Sequence, residues 1–258
     1  MPKFFIVSDV HGFYDELREA LDNVGFDPNN ENHVLISLGD NLDRGRNPQD
    51  VINYLMSLPR KVLIFGNHCD LLMECINRGY GLSHDFSNGT VQTILDLAPN
   101  TQPFCLACEA AYKKVEDFIG SMVNYFETKN YIFVHSWVPL SCDDNYPPYY
   151  VLNRKFSKME NWRDANDLEW EDARWQNPFV LAEQGLLPDK TLVMGHWHCS
   201  EGWAIKEDRT LFGDDAKFDP FYGDGFIAID SCVAHTHKVN CIVIEDDFME
   251  SDVNCDMS

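Results

Sequence analysis

The chain has 258 residues, of which 45% are hydrophobic and 13% aromatic, so it can bury a large core. This composition excludes a disordered, fibrous or disulfide-scaffolded protein. Its 20 Lys and Arg residues against 42 Asp and Glu residues leave a formal net charge of −22, which repels nucleic acid phosphates. No apolar run approaches the roughly 20 residues that cross a bilayer. Neither a nucleic acid nor a membrane is therefore expected as a partner.

The N-terminal sequence and the cysteine content favour a cytoplasmic location. Residues 1–4 lead directly into an apolar strand, without a basic leader or an apolar signal region. Nine cysteines are an odd number, scattered between Cys69 and Cys255, which fits reduced thiols better than a disulfide framework.

Apolar strands alternate with amphipathic helices in the first part of the chain. Strands are predicted over 4–7, 34–38 and 62–65, with helices over 14–24 and 48–58 between them. This order favours a mostly parallel sheet with both faces covered. Further elements are predicted as helices over 91–97 and 105–126, strands over 131–134 and 192–194, and a final hairpin over 226–230 and 239–245.

We expect a single domain over 1–258, with a helical segment at about 79–127 and an aromatic, acidic insertion at about 141–189. The acidic end, 245–258, is predicted to be a solvated tail. All six tryptophans lie between Trp137 and Trp203. They could stack a nucleobase, grip an apolar side chain next to a phosphorylated residue, or form the core of the insertion, which is the favoured interpretation.

Five predicted strands end in polar clusters. Because ligands of open α/β sheets bind beyond the carboxyl ends of the strands, these clusters can converge although they are far apart in sequence. Carboxylate and imidazole donors suit manganese, iron, zinc or nickel, and a carboxylate can bridge two such ions. The candidate residues are Asp9, His11, Asp40, Asn67, His68, His135, His196 and His198.

The order of these clusters resembles that of the calcineurin-like metallophosphoesterases. The matching segments are Asp9-Val10-His11-Gly12, Gly39-Asp40-Asn41-Leu42-Asp43-Arg44-Gly45, Gly66-Asn67-His68, Val134-His135 and Gly195-His196. The Asp43-Arg44-Gly45 segment resembles the phosphoprotein phosphatase branch, which includes bacterial and phage serine/threonine phosphatases and is related to the diadenosine tetraphosphatases. The resemblance implies an α/β fold with a sandwich of two mixed sheets flanked by helices, in four αββα layers.

The resemblance also implies a ligand set for two divalent ions, for which Mn²⁺ is the first choice here and Fe, Zn or Ni are alternatives. Asp9 and His11 would hold one ion, Asp40 would bridge, and the other ion would be held by Asn67, His135 and His196. The segment Gly195-His196-Trp197-His198 resembles the two-histidine form of the superfamily, so His198 is an additional candidate ligand or an outer hydrogen-bond partner.

Catalytic roles follow from the same resemblance. A hydroxide bridging the ions would attack phosphorus, and His68, oriented by Asp43, would protonate the leaving oxygen. Arg44 and Asn67 would bind the phosphate. Arg174 is the candidate for a second phosphate-binding arginine, with Arg154 and Arg163 as alternatives.

The resemblance leaves three functions open. A phosphoserine/phosphothreonine protein phosphatase is favoured, because the acidic insertion suits basic peptides and because the related tetraphosphatases carry a residue other than Asp before Arg-Gly. Hydrolysis of diadenosine tetraphosphate or another small phosphoester is the alternative. A catalytically silent metal-binding module ranks last, since no ligand of the set is missing.

Overall fold

The computed structural model describes residues 1–142 and 155–249. The strands are β1 (Lys3–Val7), β2 (His33–Ser37), β3 (Lys61–Leu63), β4 (Tyr125–Glu127), β5 (Tyr131–Val134), β6 (Leu140–Cys142), β7 (Phe156–Lys158), β8 (Thr191–His198), β9 (Phe221–Tyr222), β10 (Phe226–Asp230) and β11 (Cys241–Glu245). The helices are α1 (Tyr14–Asn23), α2 (Pro48–Ser57), α3 (Asn67–Arg78), α4 (Ser83–Ser87), α5 (Thr90–Leu97), α6 (Phe104–Gly120), α7 (Asp167–Arg174), α8 (Pro178–Glu183), α9 (Cys199–Glu207) and α10 (Val233–Thr236). Within these two ranges, no helix has both the length and the apolar composition needed to cross a membrane.

Two mixed sheets form the centre of the fold. One has the strand order β11-β1-β2-β3 and the other the order β4-β5-β8-β10-β9. Strands β1, β2 and β3 run parallel, as do β5, β8 and β10, whereas the edge strands β11, β4 and β9 are antiparallel to their neighbours. Parallel strands place their carboxyl ends at one edge of each sheet. A separate antiparallel pair, β6 and β7, belongs to the insertion.

Alternation along the strands assigns side chains to different layers. Phe4 and Ile6 of β1 pack with Phe133 and Val193 between the two sheets. Phe5 of β1 faces the other way, into the cluster formed with α1, α2, α3, α5 and α6. The opposite face of the second sheet packs against Trp137, which follows β5, and against Trp162 and Trp170 of the insertion. The four-layer α/β sandwich is therefore confirmed.

Three predicted elements were wrong. Strands β10 and β11 are not a hairpin: β10 pairs with β8 and β9, β11 pairs with β1, and the chain between them crosses from one sheet to the other through α10. The helix predicted to reach residue 126 ends at Gly120, because 125–127 form an edge strand. The start of the acidic tail is packed rather than solvated, since Asp246 is buried and Phe248 contacts Phe4.

Candidate active site

Residues from five different strand ends meet at the carboxyl edge of the two sheets. Asp9 and His11 follow β1, Asp40 follows β2, Asn67 and His68 begin α3 after β3, and His135 follows β5, while His196 lies near the end of β8. All of these side chains except His196 are at most 5% exposed. A buried cluster of this polarity requires partners for every donor and acceptor.

Asp40 lies at the centre of the cluster. Its Oδ2 atom is 3.5 Å from His135 Nε2, 3.9 Å from His68 Nε2 and 4.0 Å from His11 Nε2. Its Oδ1 atom accepts the backbone N–H of His68 at 3.0 Å. Gly66 makes this approach possible, because a Cβ atom there would stand 2.2 Å from Asp40 Oδ1. The carboxylate therefore faces three imidazole nitrogens at once.

Backbone carbonyls orient two of these imidazoles. His11 Nδ1 lies 2.9 Å from the carbonyl oxygen of Leu42, and His135 Nδ1 lies 2.8 Å from that of Leu38. Because a carbonyl only accepts, Nδ1–H must be the donor in both contacts. The Nε2 atom of each ring is then directed at the centre, as in metal-binding histidines; that of His11 carries a lone pair, whereas that of His135 faces the oxygens of Asp40 and Asn67.

A second group of side chains surrounds His68. Its Nδ1 lies 2.8 Å from Asp43 Oδ2, and the same carboxylate oxygen accepts the hydroxyl of Thr90 at 2.7 Å. On the other side, Arg44 Nη2 is 3.2 Å from His68 Nε2 and Arg44 Nη1 is 3.0 Å from His11 Nε2. Arg44 is exposed, so its guanidinium covers the entrance to the cluster.

The backbone is strained at these residues. Six non-glycine residues of the cluster have positive φ: Asp9, His11, Asp40, Asp43, Arg44 and His196, with angles between 48° and 69°. Left-handed backbone is unfavourable for side chains with a Cβ, and it is retained where the surrounding structure imposes it, often at functional sites. The turns after β1 and β2 also approach closely, because a Cβ at Gly45 would stand 2.3 Å from the carbonyl oxygen of His11.

Burial and mutual interaction shift the pKa values in the cluster. Burial raises the pKa of Asp9 to about 7, with the nearby Asp230 adding to the shift. Burial also lowers the pKa of His11 well below its usual value and that of His196 to about 3. For His135, burial lowers the pKa but Asp40 outweighs it and raises the value to about 9. Neutral imidazoles are therefore available as ligands at His11 and His196 near neutral pH.

The donor set fits two adjacent divalent ions. His11, Asp40 and His68 present ligand atoms within 4.8 Å of one another, and so do Asp40, His135 and His196. Asp40 belongs to both groups, as a bridging carboxylate would. Asn67 Oδ1 lies 2.8 Å from His135 Nε2 and adds an oxygen to the second group. Nitrogen and oxygen donors without thiolate suit borderline metals such as manganese, iron or zinc.

Two predicted ligands lie at the border of these groups. Asp9 is buried, and its Oδ2 accepts the backbone N–H of His196 at 2.9 Å and the hydroxyl of Ser8. His198 is half-buried, and its ring packs against Phe212 with the ring centroids 5.3 Å apart.

The predicted arginines are placed differently from one another. Arg44 reaches the cluster, whereas Arg174 is bound by Asp70 through two contacts of 2.9 and 3.1 Å and by Asn124 at 3.0 Å. Arg163 pairs with Glu127 and Asp189. Arg154 lies outside the described residues.

Sequence reasoning missed three members of the cluster. Asp230, 3% exposed, ends β10 opposite His198 and influences the pKa of Asp9. It follows an apolar strand, so the rule that found the other residues could have found it. Thr90 holds Asp43, and the backbone of Trp175 accepts a hydrogen bond from the His196 ring. No local sequence signal marks these two contacts.

Comparison with known proteins agrees with this geometry. A family model described as calcineurin-like phosphoesterase matches residues 2–239. The chain is 38% identical over 78 residues to a symmetrical bis(5'-nucleosyl)-tetraphosphatase of Coxiella burnetii, which covers 30% of the chain and 25% of that relative. It is 36% identical over 77 residues to serine/threonine-protein phosphatase 2 of Escherichia coli, which covers 30% of the chain and 34% of that relative. The chain thus spans about a quarter to a third of these curated relatives.

Solved structures share the fold over nearly the whole chain. A protein assigned provisionally as a diadenosine tetraphosphatase superposes with a TM-score of 0.54 at 17% identity, covering 95% of this chain and 91% of that one. A cold-active protein tyrosine phosphatase superposes with a TM-score of 0.51 at 14% identity, covering 95% and 74%. At these identities the similarity shows the fold alone.

Proposed function

Since the chain belongs to the calcineurin-like phosphoesterase family of hydrolases, we propose that it is a phosphoserine/phosphothreonine protein phosphatase that uses two divalent ions. The observation that carries this proposal is the His68–Asp43 pair, which lies next to both Asp40 and Arg44. A proton donor at this place is what a phosphomonoester requires, because its alkoxide leaving group is strongly basic.

The ions would be held by the residues gathered around Asp40. We assign His11 and Asp9 to one side, Asn67, His135 and His196 to the other, and Asp40 to both, with His198 as an outer ligand or hydrogen-bond partner. When bound, such ions polarise phosphoryl oxygens and lower the pKa of water near them. Mn²⁺ is the first candidate, and Fe, Zn or Ni would suit the same donors.

His68 would move the proton to the leaving oxygen. Its Nδ1–H donates to Asp43, which fixes the orientation of the ring, so a proton carried on Nε2 would face the substrate. Thr90 donates to the same carboxylate oxygen and restricts the Asp43 rotamer. In the structure Nε2 contacts Arg44, a contact that an incoming phosphate would replace.

Arg44 and Asn67 would bind the phosphoryl oxygens. The guanidinium is exposed on one side, contacts two imidazole nitrogens on the other, and offers a planar fork that matches two oxygens. Arg174 is our second candidate for phosphate contact. It would have to share its guanidinium between Asp70 and the substrate, so its share of binding should be smaller than that of Arg44.

A dinucleoside tetraphosphatase is the alternative function. It is favoured by the bis(5'-nucleosyl)-tetraphosphatase name of the Coxiella relative and by the indole of Trp175, which lies 6.3 Å from the His196 ring and could stack a base. The intact His68–Asp43 pair favours the monoester, since a phosphoanhydride has a good leaving group and needs less proton donation.

The experiment is a comparison of two substrates with Mn²⁺ present. A phosphothreonine peptide and diadenosine tetraphosphate are assayed side by side, with a chelator and the Asp40→Asn variant as controls. We expect a higher kcat/KM on the peptide and loss of both activities with the chelator. Dominant cleavage of the tetraphosphate to adenosine diphosphate would reject the phosphatase assignment in favour of the alternative.

A further inference from the structure

A cavity of about 370 Å³ lies directly beside the candidate active site. Its walls are formed by Asp70, Leu71 and Glu74 of α3, His84 of α4, Asn88 after α4, Glu171 of α7 and Trp175. It thus combines an indole ring and an aliphatic side chain with three carboxylates and one imidazole, that of His84, which lies 3.2 Å from Asp85. No residue predicted to hold metal or phosphate lines it, so it is distinct from the centre around Asp40.

The cavity borders that centre on two sides. On one side Trp175 contacts His196, because the His196 ring hydrogen-bonds to the Trp175 backbone and the two ring centroids are 6.3 Å apart. On the other side Asn88 precedes Gly89, which packs so closely on the turn of Arg44 that a Cβ atom would stand 2.5 Å from Arg44 N. The cavity therefore lies between the turn that carries Arg44 and the residues next to His196.

Helix α3 connects the two places. It begins with Asn67 and His68 and continues through Asp70, Leu71 and Glu74 along the cavity wall. Glu74 follows His68 by six positions along the helix, which corresponds to a rise of about 9 Å. Since His68 is the proposed proton donor to the leaving group, the cavity lies on the leaving-group side. In a phosphoprotein that side carries the peptide chain.

The cavity wall carries three carboxylates, which differ in how far other side chains of the protein already pair with them. Asp70 is occupied by the two contacts from Arg174. The Glu74 carboxylate is 3.3 Å from Arg78 and its side chain is 55% exposed. Within 1–142 and 155–249, Glu171 makes no ion pair or hydrogen bond. Burial raises the pKa of Asp70 to about 6, and the nearby charge of Glu171 adds to the shift. Glu171 is therefore the carboxylate most available to a cation, with Glu74 as its supplement.

We propose that this cavity binds the side chain of a Lys or Arg residue that flanks the phosphorylated residue of the substrate. The inference rests on the proposed phosphatase function and names its preferred substrates as basic phosphopeptides. The long aliphatic stem would pack on Leu71 and Trp175, and the cationic head would reach Glu171 and Glu74. A reach of about 9 Å suits a residue one or two positions from the phosphorylated one, given 3.8 Å between consecutive Cα atoms.

The test uses the ratio of two substrates within each enzyme variant. One phosphothreonine peptide carries Arg at all four positions within two residues of the phosphothreonine. A matched peptide carries Gln at the same four positions. With Mn²⁺ enzyme we expect the Arg peptide to have about a tenfold higher kcat/KM, as two partly exposed ion pairs and a cation–π contact would give. Glu171→Gln should reduce this ratio to about threefold, and the Glu74→Gln/Glu171→Gln double variant to about unity.

Glu109→Gln provides the matched control, because Glu109 is exposed on α6 and outside the cavity wall, and the charge change is identical. It should keep the wild-type ratio. Hydrolysis of p-nitrophenyl phosphate, which cannot reach the carboxylates, should be unchanged in all these variants. A wild-type ratio near unity, or a double variant that keeps the tenfold ratio, overturns the inference while leaving the phosphatase function intact. Cleavage of diadenosine tetraphosphate without cleavage of either peptide rejects the phosphatase function itself.

Discussion

Two buried carboxylates at opposite edges of the sandwich have opposite surroundings. Asp40, 2% exposed at the carboxyl edge of the sheets, faces the Nε2 atoms of three histidines at 3.5 to 4.0 Å. Asp246, 4% exposed after β11, accepts three short hydrogen bonds from neutral donors: the Thr128 hydroxyl at 2.6 Å and the backbone and side-chain N–H groups of Asn130 at 2.8 and 2.7 Å.

The difference lies in what each carboxylate still lacks. Neutral donors complete the hydrogen bonding of Asp246, so it closes the β4–β5 turn without any ligand. The Oδ2 atom of Asp40 instead faces the nitrogens of three imidazoles, a set of ligand atoms that a bound cation would complete. Burial raises the pKa of Asp40, but His135 and His68 outweigh it and hold the pKa well below its usual value. A buried carboxylate is therefore informative about function only together with its neighbours.

Asp40→Asn should give the largest effect on activity. The amide keeps the shape but removes the charge that both ligand groups share, so we expect hydrolysis of p-nitrophenyl phosphate to fall by about 1000-fold or more. Metal content, measured by plasma mass spectrometry, should fall with it. With a chelator present, the unfolding temperature should also fall below that of wild type, because removing one partner of a buried charge pair leaves His135 without its carboxylate. Wild-type turnover in this variant would remove Asp40 from the centre.

His68→Asn should come next and should separate the proton donor from the metal ligands. We expect turnover of a phosphothreonine peptide to fall by about 100- to 1000-fold while metal content is kept. The loss should be smaller for p-nitrophenyl phosphate, whose leaving group needs little protonation. Loss of metal together with an equal loss on both substrates would instead make His68 a ligand, as its place within 4.8 Å of His11 and Asp40 allows.

Arg44→Ala should have an intermediate effect. The guanidinium is exposed and binds phosphate rather than metal in our proposal, so KM should rise by about tenfold or more with metal content unchanged. Arg44→Lys keeps the charge but not the fork and should recover only part of the loss. An unchanged KM in both variants would contradict this role and would direct attention to Arg174.

More of the residues in the candidate site than of the contacts around them could be predicted from the sequence. Polar residues at the ends of neighbouring parallel strands lie at one edge of their sheet, so the proximity of Asp9 and Asp40 follows from strand order. The approach of His135 depends in addition on how the second sheet packs on the first. Hydrophobic periodicity located the inner strands because they are buried on both faces. Hydrophobic periodicity could not predict which sheet a strand joins. Strands β10 and β11 are both short apolar runs, and nothing in their pattern assigns them to one sheet or the other.

Contacts between distant side chains explain the remaining misses. Asp246 and Phe248 lie in an acidic stretch with no periodicity, and only the fold brings them to Thr128 and Phe4. The Asp70–Arg174 pair joins α3 to α7 across 104 residues, and no spacing rule predicts it. Whether these charged side chains are buried depends on which distant elements pack against them. Sequence patterns describe only the element that contains each residue.

Asp246→Ala should act on stability and not on activity, which completes the contrast with Asp40. Removing the carboxylate leaves the Thr128 and Asn130 donors without an acceptor, at a cost of about 2 kcal/mol in the free energy of unfolding. For a chain of this size that corresponds to a decrease of roughly 4 to 8 °C in unfolding temperature. Hydrolysis of p-nitrophenyl phosphate at 25 °C should stay within about twofold of wild type, since Asp246 lies at the opposite edge from the centre.

The pH dependence gives a second readout of the same substitution. Burial raises the pKa of Asp246, but the hydrogen bonds from Thr128 and Asn130 outweigh burial. The pKa in the folded chain is therefore below its ordinary value of 3.8. Because the pKa is lower in the folded chain than in the unfolded one, the stabilisation is present above that ordinary value and is lost as the pH falls through the folded pKa. Urea unfolding should therefore show a constant difference between wild type and Asp246→Ala from pH 7 to about pH 5, and a smaller one below about pH 4. A difference that grows on acidification would show that the carboxylate is not the stabilising form.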